Sequence, residues 1–325
     1  MTEVKLSGTQ EIIKPEVTIG HAKGASAHGW HRINSYLECP FKYQQEQVRG
    51  IKVPRDQTPA PFTVGLIHHA LRARWFANRF STAPDNWPSL LAAMEQARLD
   101  ASEPMDEEHI REGLNLFEFY MGHCAKLPHP DPVAAEYLVQ SKLNPSDPDE
   151  LVFSARLDDV SRYPEAQGKL CLGESKTTSD IAGTINEYTL HGQPMLQAAL
   201  WEVAPQGAQL HGSVAGVMLD IVRKPYGKVP AKCVRQFMPL NRDALLWFVD
   251  DLREQKAKAL QITWDSKVQR NITSCTRMYG RMRIECPYRQ MCMYGRTAAG
   301  NYVLPDGSAL NEWTPSEGRT VEPWK

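Results

Sequence analysis

The chain has 325 residues, 42% of them hydrophobic, and its 37 basic and 38 acidic side chains leave a formal net charge of -1. This hydrophobic content is sufficient for a folded core, and at about 150 residues per domain the length fits one large domain or two small ones. No apolar segment approaches the roughly 18 residues of a membrane helix, and the N-terminus has no secretion signal, so we expect a cytoplasmic protein without a membrane partner. The balanced charge does not exclude a nucleic-acid partner, because a local basic patch is enough to bind phosphate.

Helices are expected in the first part of the chain. Residues 1–29 show no clear periodicity, and we interpret them as an N-terminal arm. Four segments then have helical spacing, the first interrupted at Cys39-Pro40: 30–48, 64–80, 88–98 and 106–124. In the second of these segments, Leu66, His69 and Phe76 recur on one face, which we expect to be buried.

The pattern changes to strands after the proline-rich segment 127–132, which breaks a helix. Short polar turns join three segments of strand character and predict an antiparallel meander: 133–143, 151–163 and 168–178. The remaining elements are predicted in the order helix, strand, strand and helix, at 186–203, 212–222, 231–240 and 241–262. This order predicts a mixed α/β fold with a short sheet, and no glycine-rich phosphate loop is present.

Two carboxylates and a lysine stand at the ends of the second and third predicted strands. Asp158 lies in "RLDDV", and Glu174 and Lys176 lie two residues apart in "GESKTT". Side chains of a strand alternate between faces, so Glu174 and Lys176 share a face, and pairing of the two strands brings Asp158 beside them. Carboxylates bind Mg²⁺ or Mn²⁺, which activates water for phosphodiester hydrolysis, and a lysine can orient that water. The alternative is an exposed ion pair at the strand ends, since such a triplet also occurs by chance.

The segments "RLDDV", "GESKTT" and "QPMLQAALW" follow one another as in the PD-(D/E)XK nuclease superfamily, and the chain resembles its RecB-like nucleases. The resemblance covers about residues 30–296 and implies an α/β restriction-endonuclease-like core, a short mixed sheet flanked by helices, with a helical N-terminal insertion. The catalytic residues that it implies are Asp158, Glu174, Lys176 and Gln197. Trp201 stands where the family motif Q-x-x-x-Y has tyrosine, and Gln193 and Trp201 are further candidates for contacts with DNA.

The resemblance also implies a metal-binding histidine in an upstream helix, in the form G-x-x-x-H. Gly65 and His69 have this spacing, although the adjacent His68 leaves the register open by one residue. The expected metal ligands are His69, Asp158 and Glu174. Glu136 in the first strand is a further candidate, and a histidine on an apolar face can equally be a core residue.

Four of the seven cysteines follow a second family pattern. The iron–sulfur subgroup of RecB-like nucleases, which includes the AddB subunit and nucleases of CRISPR adaptation, has one cysteine before the nuclease core and three after it. The corresponding residues are Cys39, Cys275, Cys286 and Cys292. The usual C-x2-C-x5-C is incomplete here, because Arg283 stands three residues before Cys286. The resemblance implies a 4Fe-4S cluster that staples the chain ends around the core, with structural Zn²⁺ or unliganded thiols as alternatives.

Residues 275–296 are locally basic and aromatic and contain a single acid, Glu285. Arginines hold phosphate, and tyrosines offer faces to unstacked bases. Six residues of this segment are therefore predicted to contact DNA: Arg277, Tyr279, Arg281, Arg283, Tyr288 and Arg289. The alternative is a solvated loop around a metal.

These motifs predict a nuclease domain over 30–296, closed by the cysteine cluster, between an arm (1–29) and a tail (297–325). The predicted function is a metal-dependent DNA exonuclease that acts on single-stranded or resected ends in recombination, repair or phage or CRISPR DNA processing. Its expected location is the cytoplasm of a bacterium or a phage-infected host, and its expected partners are DNA and a single-strand annealing or recombination protein. The alternatives are a restriction-type or structure-specific endonuclease and a non-catalytic DNA-binding protein that retains the fold.

Overall fold

The computed structural model describes residues 28–53, 60–78, 87–101, 104–144, 146–189, 192–204, 207–225, 228–271, 275–279, 282–294 and 301–304. Most of the predicted arm and tail lie outside these residues. No described helix is long and apolar enough to cross a membrane.

The helices before the sheet agree closely with the sequence prediction. They are α1 (Trp30–Glu38), α2 (Pro40–Tyr43), α3 (Ala60–Ala77), α4 (Trp87–Asp100) and α5 (Glu107–Cys124), and a π-helical turn over Gln44–Val48 continues α2. Cys39 separates α1 from α2 in an extended conformation, with φ -165° and ψ 112°. This is the conformation that a following proline favours, and Pro40 can begin α2 because the first helical residue needs no N–H partner.

Five strands form one mixed sheet in chain order: β1 (Asp131–Lys142), β2 (Val152–Tyr163), β3 (Lys169–Thr178), β4 (Gly216–Arg223) and β5 (Lys232–Pro239). The first three are antiparallel neighbours, so the predicted meander is confirmed. β3 and β4 run parallel, whereas β4 and β5 are antiparallel. Parallel neighbours need a crossover connection, which is helical here.

The crossover from β3 to β4 contains α6 (Ile181–Thr189), α7 (Gly192–Val203) and the short α8 (Ala208–His211). The sequence predicted a helix over 186–203, whereas the structure is already helical from Ile181, so that prediction was wrong in its start. α7 and the long α9 (Arg242–Leu260) cover one face of the sheet, where Leu196, Leu200 and Trp201 pack on β-strand side chains such as Phe153 and Leu172. α3 and α5 cover the other face through residues that include Leu71 and Phe117.

The C-terminal part packs beside α2 as a small unit. It contains the hairpin β6 (Thr276–Tyr279) and β7 (Met282–Glu285), followed by α10 (Arg289–Tyr294). The segment 301–304 docks here, because Val303 pairs with Lys52 and the buried Tyr302 stacks on Tyr288. Residues of the predicted tail, at 302 and 303, thus pack against this unit.

Candidate active site

The structure brings Asp158, Glu174 and Lys176 together at adjacent positions of β2 and β3. The register pairs Asp159 with Gly173, which places Asp158 beside Glu174 on the neighbouring strand. The Lys176 Nζ lies 2.5 Å from Glu174 Oε1. The Asp158 Oδ2 accepts a hydrogen bond from the backbone N–H of Ser175 at 3.2 Å. Two antiparallel strands thus deliver two acids and one amine to one point, as strand alternation requires.

Glu174 is only 1% exposed, and four side chains bind its two oxygens. Besides Lys176, the Tyr188 hydroxyl and Gln193 donate to Oε1 at 3.1 and 3.0 Å. Gln197 donates to Oε2 at 3.2 Å. The crossover helices α6 and α7 therefore orient this carboxylate, and both predicted glutamines contact Glu174. Sequence reasoning missed Tyr188, whose signal was a hydroxyl-bearing aromatic in the helical segment directly after "GESKTT".

The two adjacent histidines of α3 have different surroundings. The His69 Nδ1 lies 3.4 Å from Asp158 Oδ2, and the ring also hydrogen-bonds the Ser175 backbone. Burial and the nearby Lys176 lower the pKa of His69 to about 3, so its imidazole is neutral and keeps a lone pair for a ligand. His68 is fully buried and places Nε2 3.4 Å from the Ser175 hydroxyl. His69 is thus the histidine that faces the carboxylates.

Glu136 adds a third acidic side chain. It lies between the β1–β2 pairs Ala135–Asp159 and Tyr137–Leu157, which sets it across from Asp158. Its backbone φ is +49°, a left-handed conformation that is costly for a residue with a side chain and that clusters at functional sites. Burial raises the pKa of Glu136 to about 7, although Arg156 stands 3.9 Å away.

The site contains more acidic than basic side chains. Burial and the charge of Glu174 raise the pKa of Asp158 well above its usual range. Burial would also raise the pKa of Glu174, but Lys176 lowers it below its ordinary value. Burial would lower the pKa of Lys176, and Glu174 and Tyr188 reverse this and raise it. Lys176 and Arg156 stand against the three carboxylates of Glu136, Asp158 and Glu174, so a divalent cation would stabilise the ionised forms of the acids.

The donor chemistry fits Mg²⁺ or Mn²⁺, because hard carboxylate oxygens and one neutral imidazole converge here. Within the part of the chain that the structure describes, however, no three His, Cys, Asp or Glu side chains stand ready to hold a metal ion. The two oxygens of Glu174 are bound by Lys176 and by amide and hydroxyl donors. Three of these donors bind Oε1, whereas Oε2 accepts a hydrogen bond from Gln197 and has a second lone pair that could bind a metal.

A buried ionic network lies on the opposite face of the same strands, under α3 and α5. Arg72, one turn after His68, contacts Asp159 at 2.8 Å and Asp220 at 3.4 Å. Asp220 of β4 also accepts from the Tyr120 hydroxyl at 2.6 Å and from Arg235 at 2.7 Å. The network fixes α3, and with it His69, against β2 and β4.

The four cysteines of the predicted cluster lie in one region. Cys39, Cys286 and Cys292 pack in one apolar cluster with Tyr288 and Met291. The Cys286 N–H donates to the Cys275 carbonyl at 2.8 Å, and burial together with the other thiols raises the pKa of Cys286. Chain segments more than two hundred residues apart thus bring four soft donors close to one another. The absence of a metal-holding group among the described residues applies here as well, so the cluster remains a prediction.

The side chains that were predicted to contact DNA differ in their exposure to solvent. Trp201 is fully buried and donates to the Gly212 carbonyl at 3.0 Å, so it is a core residue. Tyr288 is also buried and donates to the Ile51 carbonyl at 2.6 Å. Neither ring faces solvent, since both pack inside the domain. Arg289 is partly exposed and pairs with Glu285 at 2.5 Å. The remaining side chains lie outside the described ones: Arg277, Tyr279, Arg281 and Arg283.

A family model of the PD-(D/E)XK nuclease superfamily matches residues 30–293. The chain therefore belongs to the PD-(D/E)XK nuclease superfamily, and as a member it is a nuclease, an enzyme that hydrolyses phosphodiester bonds.

Two solved structures are similar to it at low sequence identity. One is a protein of Eubacterium rectale that carries an exonuclease assignment, with a TM-score of 0.42 and 9% identity over 81% of this chain and 92% of that one. The other, named SSO0001, has a TM-score of 0.27 and 12% identity over 71% of this chain and 84% of that one. No curated protein matches the chain. The family membership therefore depends on the family model and on the site geometry.

Proposed function

We propose that this nuclease is a metal-dependent DNA exonuclease that degrades strands from single-stranded or resected ends. The observation that carries the proposal is the convergence of Asp158, Glu174 and Lys176 beside His69. The preference for ends comes from the resemblance to RecB-like nucleases. The alternatives are an endonuclease with the same core and a DNA-binding protein without activity, and the cleavage experiment described below distinguishes them.

The residues divide the chemistry among them. Asp158, Glu174 and His69 would hold Mg²⁺ or Mn²⁺, with Glu136 as a further acid, and the metal supplies a water of lowered pKa and offsets charge on the phosphate. Lys176 stays protonated, because its neighbours raise its pKa, and it can orient the attacking water and stabilise the developing negative charge. Gln193, Gln197 and Tyr188 hold the Glu174 carboxylate in place.

We also propose that Cys39, Cys275, Cys286 and Cys292 hold a 4Fe-4S cluster, with Zn²⁺ as the competing occupant. The support is that α2, the β6–β7 hairpin and α10 meet around these thiols, and that thiolates are the ligands of both groups. Metal binding would contribute to folding by joining the two ends of the described chain. A brown protein with broad visible absorbance supports the cluster, and a colourless protein with bound zinc contradicts it.

The proposed cellular role is the processing of DNA ends in recombination, repair or phage or CRISPR pathways, in the cytoplasm of a bacterium or an infected host. A single-strand annealing or recombination protein is the proposed partner. Copurification of such a protein with the tagged nuclease tests the partnership.

The experiment uses 5′- and 3′-labelled linear strands, single and double, and closed circles, with and without Mn²⁺. An exonuclease shortens the linear strands progressively and leaves the circles intact. Lys176→Ala is expected to lower the rate by roughly a hundredfold or more, whereas the exposed ion-pair control Lys258→Ala should cut like the wild type. Circles cut as fast as linear strands would refute the exonuclease, and the absence of any cleavage would refute catalysis.

A further inference from the structure

The helix that carries His69 also exposes two large apolar side chains. Phe62 is 61% exposed and Leu66 is 40% exposed, although the sequence pattern placed Leu66 on a buried face. Thr63, Val64 and Ile67 are the residues of this stretch that face the core. The apolar face predicted from the sequence is therefore corrected: Leu66 belongs to an exposed stripe.

This stripe, Phe62 and Leu66, leads directly to the active site. Positions 62, 66 and 69 follow the i, i+4, i+7 spacing, which places them along one side of α3. At a rise of about 1.5 Å per residue, Leu66 lies about 4.5 Å and Phe62 about 10.5 Å along the helix axis from His69. α3 cannot rotate about its axis to bury Phe62 and Leu66, because the ion pairs of Arg72 with Asp159 and Asp220 fix its orientation.

α3 also packs closely against β3 on the side of the helix where Gly65 lies. A Cβ on Gly65 would lie 3.5 Å from the Thr177 hydroxyl oxygen, one residue after Lys176 on β3. The stripe therefore runs past the end of the strand that carries the catalytic acid and amine. A DNA strand whose phosphate lies at Asp158 has α3 beside it, because His69 of this helix lies 3.4 Å from the Asp158 carboxylate.

The length of the stripe matches a few nucleotides. Stacked nucleotides rise about 3.4 Å per step, so Leu66 lies about one step and Phe62 about three steps from the His69 position. Aromatic and apolar side chains bind the faces of unstacked bases without regard to sequence, whereas bases inside a duplex are stacked and paired. A nucleotide has a charged phosphate and an apolar base face. The phosphate would lie at the active site, and the base face would contact the apolar stripe beside it.

We propose that Phe62 and Leu66 form a platform for the unpaired nucleobases that flank the scissile phosphate, so that the enzyme prefers single-stranded DNA. This inference rests on the proposed function and adds the residues that select the strand. Phe62 stacks on a base about two steps away from the base that Leu66 contacts, while His69 remains at the phosphate. The bases of a duplex are paired and stacked, so they cannot contact the stripe, and the stripe adds no binding free energy for duplex DNA.

The test measures binding and cleavage separately. Binding is followed in EDTA, where the strand stays intact, by the fluorescence of a single-stranded oligonucleotide with one 2-aminopurine base near its end. Phe62→Ala is expected to weaken binding roughly five- to hundredfold and Phe62→Tyr to restore it, because a phenol ring also stacks. Trp247→Ala, at a 73% exposed aromatic of α9, is the matched control and should bind like the wild type.

Cleavage is then measured with Mn²⁺ on single and double strands. The platform predicts that Phe62→Ala and Leu66→Ala raise KM for the single strand and leave its kcat and duplex cleavage nearly unchanged. If the wild type cuts DNA and both variants match Trp247→Ala in binding and KM, the platform is refuted while the proposed function stands. A wild type that neither binds nor cuts DNA refutes both.

Discussion

Adding one methyl group at Gly173, on the strand that carries Glu174, should destabilise the fold. A Cβ at this position would lie 1.8 Å from the Asp159 Oδ2 and 2.3 Å from its Cγ. Asp159 cannot move aside easily, since it is fully buried and accepts hydrogen bonds from Ser161 at 2.7 Å and Tyr163 at 2.9 Å. Its other oxygen pairs with Arg72. Gly173→Ala therefore forces the buried carboxylate away from its partners.

The magnitude follows from two contributions. Overpacking a core position costs about 1–3 kcal/mol, and breaking a buried ion pair on one side costs about 3–5 kcal/mol. Arg72 keeps a contact with Asp220 at 3.4 Å, so the lower part of the second range applies. We expect the free energy of unfolding to fall by about 3 kcal/mol or more, a large share of the roughly 5–15 kcal/mol of a typical domain.

Urea unfolding followed by far-UV circular dichroism measures this loss. Gly122→Ala in α5 is the matched control, because no atom lies within 4 Å of the added Cβ. Since glycine costs a helix about 0.5–1 kcal/mol relative to alanine, this control should be neutral or slightly more stable. A Gly173→Ala protein within about 0.5 kcal/mol of the wild type would refute the packing of Asp159 against β3.

Three further predictions concern other parts of the site. Burial would raise the pKa of Asp220, but its two arginine partners lower it below 3.8, so its ionised form stabilises the fold above that pH and this stabilisation is lost as the pH falls further. Asp220→Asn should be less stable at neutral pH and have a flatter pH dependence of unfolding below pH 3.8, and an unchanged dependence would contradict this. Gln197→Leu removes a donor from Glu174 and should lower kcat/KM about tenfold, which steady-state kinetics can check. Cys39→Ser should remove visible absorbance and lower the melting temperature of the purified protein, whereas full retention of both would exclude Cys39 as a ligand.

Local patterns predicted the parts of the fold that local chemistry determines. Cys39-Pro40 broke the first helix where expected, since proline restricts its neighbour whatever the rest of the chain does. The meander and the shared face of Glu174 and Lys176 followed from a period of two and from short turns. The pairing of these residues with Asp158 needed only the hairpin between β2 and β3.

Long-range contacts set the features that the sequence did not predict. The parallel pairing of β3 with β4 and the start of α6 at Ile181 depend on where the crossover helices pack. The choice of His69 over His68 depends on the rotation of α3, which Arg72 fixes through carboxylates on β2 and β4. The exposure of Leu66 also depends on long-range packing. A helical period predicts which residues share one side of the helix, but it does not predict whether another element packs on that side.

We propose that Asp158 and Glu174 bind one divalent cation together. Calorimetric titration of the purified protein with Mn²⁺ tests it without any substrate. We expect one site in the wild type and an affinity at least about tenfold weaker in both Asp158→Asn and Glu174→Gln, with the exposed acid variant Asp149→Asn unchanged. Undiminished Mn²⁺ affinity in either site variant would contradict the shared cation and the hydrolytic mechanism built on it.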